Sequence, residues 1–207
     1  MSGRVLRGSI VVVLAVGLAL AFVAAREEPV ELLCYFTIQV DLAYLAVLLL
    51  GGGDRLRTAL TVYLLVTGLV FVLVLANPWS GYAMVATADA RGLVSDAGNL
   101  LLHAVAPPLA AADWLARPPR RAPTAAYAVG LLGYPLVWLT LILVRGAAFS
   151  QADDRYLYPF LDVPRLGYPT IAVNALVFAV LVLLLGLGAV RLSRRRPDPL
   201  PGGSPAT

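Results

Sequence analysis

The sequence predicts an all-helical membrane protein, a bundle of six transmembrane helices with both termini in the cytoplasm. Three observations predict it. Hydrophobic residues fill 60% of the 207 positions and charged ones only 14%, whereas soluble domains are about half apolar and about a quarter charged. Mean hydropathy is +0.83. Six apolar runs, at residues 8–25, 32–50, 58–76, 93–115, 124–148 and 170–190, each fall in the range of about 17–25 residues that crosses a hydrocarbon core.

Orientation follows from arginine, because the chain has no lysine. Six spans place Arg4, Arg7, Arg55, Arg57, the arginines of the 117–121 loop and those from Arg191 onward on one side. The other side has Arg26, Arg91, Arg145, Arg155 and Arg165 together with most of the acidic residues. The arginine-rich side faces the cytoplasm. The expected location is the cell membrane, crossed several times, with residues 1–196 as one transmembrane domain and the Pro/Gly-rich residues 197–207 as a disordered tail.

The first span follows Arg4 and Arg7, and Val23 with Ala25 would also suit a signal-peptide cleavage site. Its apolar run exceeds the roughly 7–15 residues of a signal core, which favours a retained span. The second span contains CYFTIQVDLAYL, with Thr37 and Asp41 one helical turn apart and so on one face. The third is nearly uniform Val, Leu and Ala around Thr67 and Gly68 and reads as scaffold, closed by Asn77-Pro78-Trp79 at an interface.

The fourth span holds the single histidine, His103. An ionisable group at that depth is costly, so it faces the bundle interior or a polar cavity and marks a functional site, or else it is a structural histidine bonded across helices. Asn99 and Asp96 lie four and seven residues earlier and share its face. Pro107 and Pro108 lack the N–H groups that would bond the carbonyls of His103 and Ala104, which predicts a kink and a polar pocket opening towards the second helix. The fifth span carries Tyr134-Pro135, a second kink, and Arg145 near its end. A polar connection rich in Tyr, Pro and Asp then leads to the sixth span and to Arg191, Arg194, Arg195 and Arg196.

Several function classes are excluded at this level. The arginines gather at span ends rather than in a stripe that follows a phosphate backbone, so nucleic acid is not an expected partner. One cysteine, Cys34, leaves no intrachain disulfide and no CxxC site. One histidine leaves too few ligands for a metal enzyme, and no cofactor is expected.

What remains is a hydroxyl and a base. With both helices entering from outside, Thr37 and His103 each lie roughly 9–12 Å below the outer end of their helix at about 1.5 Å per residue. A threonine hydroxyl becomes a nucleophile when a histidine within hydrogen-bond reach takes its proton. Ser95 is about 12 Å from His103 along its own helix, and Cys34, one turn outward of Thr37, is a weaker nucleophile candidate. The alternative for Thr37 is a packing hydroxyl bonded to its own backbone.

The pieces CYFTIQ at 34–39, NLLLHAVAPPLAAADWL at 99–115, Tyr134-Pro135 with Arg145-Gly146, and YLYPFLD at 156–162 are short but spread in order along most of the chain. They resemble the bacterial branch related to the androgen-induced and androgen-dependent TFPI-regulating membrane proteins. The resemblance implies a multi-span threonine hydrolase that cleaves fatty acid esters of hydroxy fatty acids with one Thr and one His, which fall on Thr37 and His103. This chain departs from the branch after Gln39, where Val40-Asp41 stands in place of an expected Ser-Asn pair.

On that reading His103 deprotonates Thr37, the hydroxyl attacks the ester, and water releases the acyl group. Asn99 orients the histidine or donates to the oxyanion, Asp41 or Asp96 holds the imidazole, and Arg145 binds a lipid carboxylate unless it only snorkels to the interface. The 156–162 connection, with Tyr158 and Asp162 as substrate-binding residues, closes over the cavity or else anchors at the interface. The rival class is a non-catalytic lipid or small-solute carrier, or a helper subunit, whose polar face binds or packs. The chain shows no internal repeat of the kind many carriers have.

Overall fold

A computed structural model describes residues 3–25, 29–84, 90–149 and 155–194. The described residues are 84% helical and contain no strand. Four helical stretches, Gly3–Ala24, Asp54–Leu75, Ala125–Ala148 and Val163–Arg194, are long and apolar enough to cross a membrane. Their outward faces carry Val137, Leu141, Val144, Leu176, Val177 and Leu184 in the open, an apolar surface far larger than water-soluble domains tolerate. The expected tail at 197–207 lies outside the described residues.

Helix α1, Gly3–Ala24, buries Leu6, Ile10, Leu14 and Leu18, four positions spaced every fourth residue on one face. That face packs on α3 (Phe36–Leu50), α5 (Ala90–Leu100) and α6 (Ala106–Ala116). The crossing with α5 is close because Gly98 has no side chain, and a Cβ there would sit 3.3 Å from the Gly17 carbonyl.

The expected second span, 32–50, is not one helix. A single turn, α2 (Pro29–Leu32), precedes a break, and α3 starts at Phe36 behind an extended Tyr35 with φ −71° and ψ 130°. The break leaves two carbonyls for others to satisfy. The Trp138 indole donates to the Cys34 carbonyl at 2.9 Å, and the Gln39 amide donates to the Leu33 carbonyl at 2.7 Å. Helix α3 is therefore only 15 residues, about 22 Å at the usual rise.

Helix α4, Asp54–Val70, is the central element and packs on α3, α6 and α9 (Val163–Arg194). It continues into a π turn, Phe71–Leu75, where the Ala76 amide reaches back five residues to the Phe71 carbonyl. A second π turn, Leu101–Val105, joins α5 to α6 without a break. Its cause is local: α6 opens with Pro107 and Pro108, neither of which can donate, so the backbone widens until the Ala106 amide reaches Leu101. The run 90–116 carries Arg91, Asp96, Asn99 and His103 and is not among the apolar spans.

The fifth span divides at Leu131 into α7 (Ala125–Gly130) and α8 (Gly133–Ala148). Pro135 cannot donate to the Leu131 carbonyl, and the Tyr63 hydroxyl takes that place at 2.7 Å. The connection from Tyr156 to Leu161 turns inward rather than lying flat at a surface, burying Leu157, Tyr158, Phe160 and Leu161.

Candidate active site

Thr37 stands in the first turn of α3, not mid-helix, because of the break at Tyr35. Its side chain is 5% exposed. No side chain caps this end, and the first intrahelical amide is that of Gln39, bonded to the Tyr35 carbonyl at 3.2 Å. The amides of Phe36, Thr37 and Ile38 thus form an open helix N-terminus, a place that favours negative charge.

His103 stands on the π turn of the fourth segment, a conformation enriched at functional sites. Its Nε2 lies 3.2 Å from the Thr37 hydroxyl oxygen, and its Nδ1 lies 3.0 Å from the Asn99 carbonyl oxygen. A carbonyl can only accept, so Nδ1 carries the proton and Nε2 presents a lone pair to the Thr37 hydroxyl. The Thr37 hydroxyl therefore donates to Nε2. This is the tautomer a general base needs.

Two groups from the third segment, expected to be scaffold, complete the setting. Phe71, on its π turn, stacks on the imidazole with ring centroids 4.7 Å apart. Gly68 lies against the His103 carbonyl, where an added Cβ would be 2.7 Å from the oxygen and 2.9 Å from Pro107. The carbonyl released by the prolines thus meets the third helix. Neither Gly68 nor Phe71 carries a polar atom that could have marked it in the sequence.

The expected supporting residues are placed unevenly. Asn99 orients the imidazole, but through its backbone carbonyl, which the widened turn brings beneath the ring. Asp41 does not hold the imidazole: it lies one turn below Thr37, fully buried, and neither carboxylate oxygen has a hydrogen-bond partner among the described residues. Nor does Asp96, which lines a wide polar vestibule with Ser95, Asn99, Asp162 and Arg165. Arg145 is engaged within the protein, paired with Glu31 at 2.7 Å and donating to the Arg155 carbonyl at 2.9 Å. The pairing joins α8 to α2 and leaves Arg145 outside the cavity lining. Cys34 is used through its carbonyl, bonded to Trp138.

Tyr158 is the residue of the connection that reaches the centre. The Thr37 hydroxyl and the amides of Phe36 and Thr37 are the hydrogen-bonding groups that face its phenol oxygen, and burial pushes this phenol above its ordinary value. The chain has no match among family models, curated proteins or solved structures.

A second cavity, an apolar groove, runs between α3, α4, α8 and α9 and is lined by Val66, Val70, Leu136, Leu139 and Phe178. Thr37, His103 and Tyr158 border both the groove and the vestibule. The three polar side chains stand where an apolar passage meets a polar one. Among the described residues no three His, Cys, Asp or Glu side chains cluster in a way that would hold a metal ion.

Proposed function

We propose that this chain is a membrane-embedded hydrolase of long-chain lipid esters, with Thr37 as nucleophile and His103 as base. The observation that supports it is the direction of the hydrogen bonds: Asn99 accepts from Nδ1, and Nε2 is left to accept from the Thr37 hydroxyl at 3.2 Å. Thr58 and Thr61 spend their hydroxyls on the Asp54 and Arg57 carbonyls of their own helix, whereas the carbonyls three and four residues before Thr37 are taken by Trp138 and Gln39. Thr37 turns to histidine instead.

The chemistry follows in two halves. Nε2 takes the hydroxyl proton as the Thr37 oxygen bonds to the ester carbon, and the negative charge moves to the carbonyl oxygen. Collapse breaks the bond to the alcohol, which leaves with the proton from His103. Water, deprotonated by His103, then attacks the acyl-threonine and releases the acid with Thr37 restored. The open amides at the start of α3 are available to the oxyanion, and one such donor is worth roughly 2.7–4 kcal/mol of barrier elsewhere. The groove suits an acyl chain, and the vestibule suits the polar end of the same molecule.

This reading accords with the resemblance to the androgen-induced and androgen-dependent TFPI-regulating branch, and with a fatty acid ester of a hydroxy fatty acid as substrate. It includes a topology of six crossings in the cell membrane with both ends cytoplasmic. Four apolar helices then cross on their own, while the short α3 and the polar 90–116 run cross inside the bundle. A second reading, a lipid carrier, is favoured by the continuity of groove and vestibule at the same three residues. Fluorophosphonate treatment of the purified protein separates the two: the hydrolase forms an adduct on Thr37, lost in Thr37→Val, and a carrier forms none.

A further inference from the structure

The dyad accounts for the proton of the nucleophile but not fully for the charge that appears on the substrate. That charge develops on an oxygen bonded to the same carbon as the Thr37 oxygen, hence beside it. The side chain already beside it is Tyr158, which is 7% exposed and borders both cavities together with Thr37 and His103.

Its surroundings set the direction of its proton. The amides of Phe36 and Thr37 lie on the side of the phenol oxygen and can only donate, so neither can take the phenol hydrogen. The phenol hydrogen is left to point at the remaining neighbour, the Thr37 hydroxyl. The positive field of a helix start favours a phenol that donates its hydrogen there. A small turn moves its hydrogen from the Thr37 oxygen to a carbonyl oxygen arriving next to it.

The ring is held for this. It packs edge-on against Tyr35 at 5.4 Å and Trp138 at 5.9 Å, and it stacks on Phe160 at 5.0 Å. The turn that carries it, Pro159–Leu161, is tied to α9 by the Asn174 amide, which donates to the Phe160 carbonyl at 2.9 Å. A donor fixed before reaction needs no reorganisation during it, which is where most of the value of an oxyanion site lies.

We propose that Tyr158 is a catalytic residue whose phenol donates a hydrogen bond to the oxyanion formed when Thr37 attacks an ester, beside the open amides of α3. The phenol keeps its proton throughout; it stabilises charge and transfers nothing. The proposal rests on Thr37 and His103 acting as nucleophile and base.

The test uses the full chain in lipid nanodiscs with a long-chain p-nitrophenyl ester. Tyr158→Phe keeps the ring and its packing, so it is expected to lower kcat by about 10²–10³-fold with KM little changed, and to slow fluorophosphonate labelling of Thr37 in parallel. A residue that only packs would leave both rates unmoved. Replacement of Tyr158 by 3,5-difluorotyrosine keeps the hydroxyl but ionises at lower pH, and a donor must be neutral, so the alkaline limb of the kcat profile is expected to move to lower pH. If Tyr158→Phe hydrolyses within about twofold of the unaltered chain, far short of the loss expected for an oxyanion donor, or if the limb stays in place, Tyr158 is not the donor and the dyad stands without it. If the unaltered chain neither hydrolyses nor labels at Thr37, the dyad reading fails and takes this one with it.

Discussion

His103 Nε2 lies 3.2 Å from the Thr37 hydroxyl although the two residues are 66 positions apart in the chain. Two local irregularities produce the meeting. The break at Tyr35 puts Thr37 at the uncapped, buried start of a helix, and the tandem prolines widen the turn that carries His103. Neither feature is a regular helix: at the break the Trp138 indole and the Gln39 amide take two freed carbonyls, and at the widened turn Gly68 lies against the carbonyl of His103. The chemistry thus sits where secondary structure is interrupted.

The first prediction concerns the pair as a unit. Thr37→Ala and His103→Ala should each remove most hydrolysis, and the double variant should cost little more than either alone, because groups acting together are strongly non-additive. Thr37→Ser keeps the hydroxyl and should retain activity and fluorophosphonate labelling. Steady-state rates on a long-chain ester measure all four. Additive losses would show that the two side chains act separately.

The second prediction concerns Gly68, which touches no reacting atom. A Cβ there meets a backbone oxygen of the residue that carries the base, 2.7 Å away, and Pro107 behind it. Neither can rotate aside. Gly68→Ala should therefore displace His103, and misplacement by about 1 Å elsewhere costs roughly 10²-fold in rate. The expected result is a fall in kcat with Thr37 still folded in place, read as slowed labelling at unchanged helicity by circular dichroism. An unchanged rate would mean that the π turn yields without moving the ring.

Much of this was legible in the chain, for reasons that can be named. Four of the apolar spans read directly from hydropathy, and the shared face of Asn99 and His103 pointed to one site, whereas the expected depth of Thr37 did not hold because α3 begins at Phe36. The break at Tyr35 was not legible, since the indole that satisfies the Cys34 carbonyl comes from 104 residues away. Phe71 and Gly68 carry no polar mark. Asn99 acts through its backbone, which residue identity does not encode. Arg145 looked free for a ligand because its partner, Glu31, lies 114 positions distant. Residues 156–162 read either as closing over the cavity or as an interfacial anchor, and composition could not choose between them, because the inward turn of Leu157, Tyr158, Phe160 and Leu161 depends on partners in distant helices.

The third prediction tests the six-crossing topology. In a Cys34→Ala background, single cysteines at Arg55 and at Arg120 should resist an impermeant thiol reagent added to intact cells, whereas one at Arg165, on the vestibule rim, should react. Reaction at Arg120 from outside would reverse the orientation and place the vestibule on the cytoplasmic side.

The last prediction concerns the end of the bundle away from the site. Asp113 is fully buried and is bonded by Arg117 and by Arg57, the latter at 3.3 Å with only 12% of its side chain exposed. Arg57 also donates to the Arg117 carbonyl, and next to it the Trp114 indole donates to the Thr58 hydroxyl at 2.9 Å. These contacts tie the start of α4 to the end of α6, the two segments that carry Gly68 with Phe71 and His103. A buried charge left without its partner typically costs about 3–5 kcal/mol, more than the pair itself contributes. Arg57→Ala leaves Asp113 with Arg117 alone and should therefore destabilise the protein by only part of that, while Arg57→Ala combined with Asp113→Ala should recover a large part of the loss. Thermal unfolding in detergent at several pH values measures both. Because the pair lies on the far ends of the helices, hydrolysis by the surviving folded fraction should keep its KM. A double variant no more stable than Arg57→Ala would show that the arginine matters through its bond to the Arg117 carbonyl and not through the buried carboxylate.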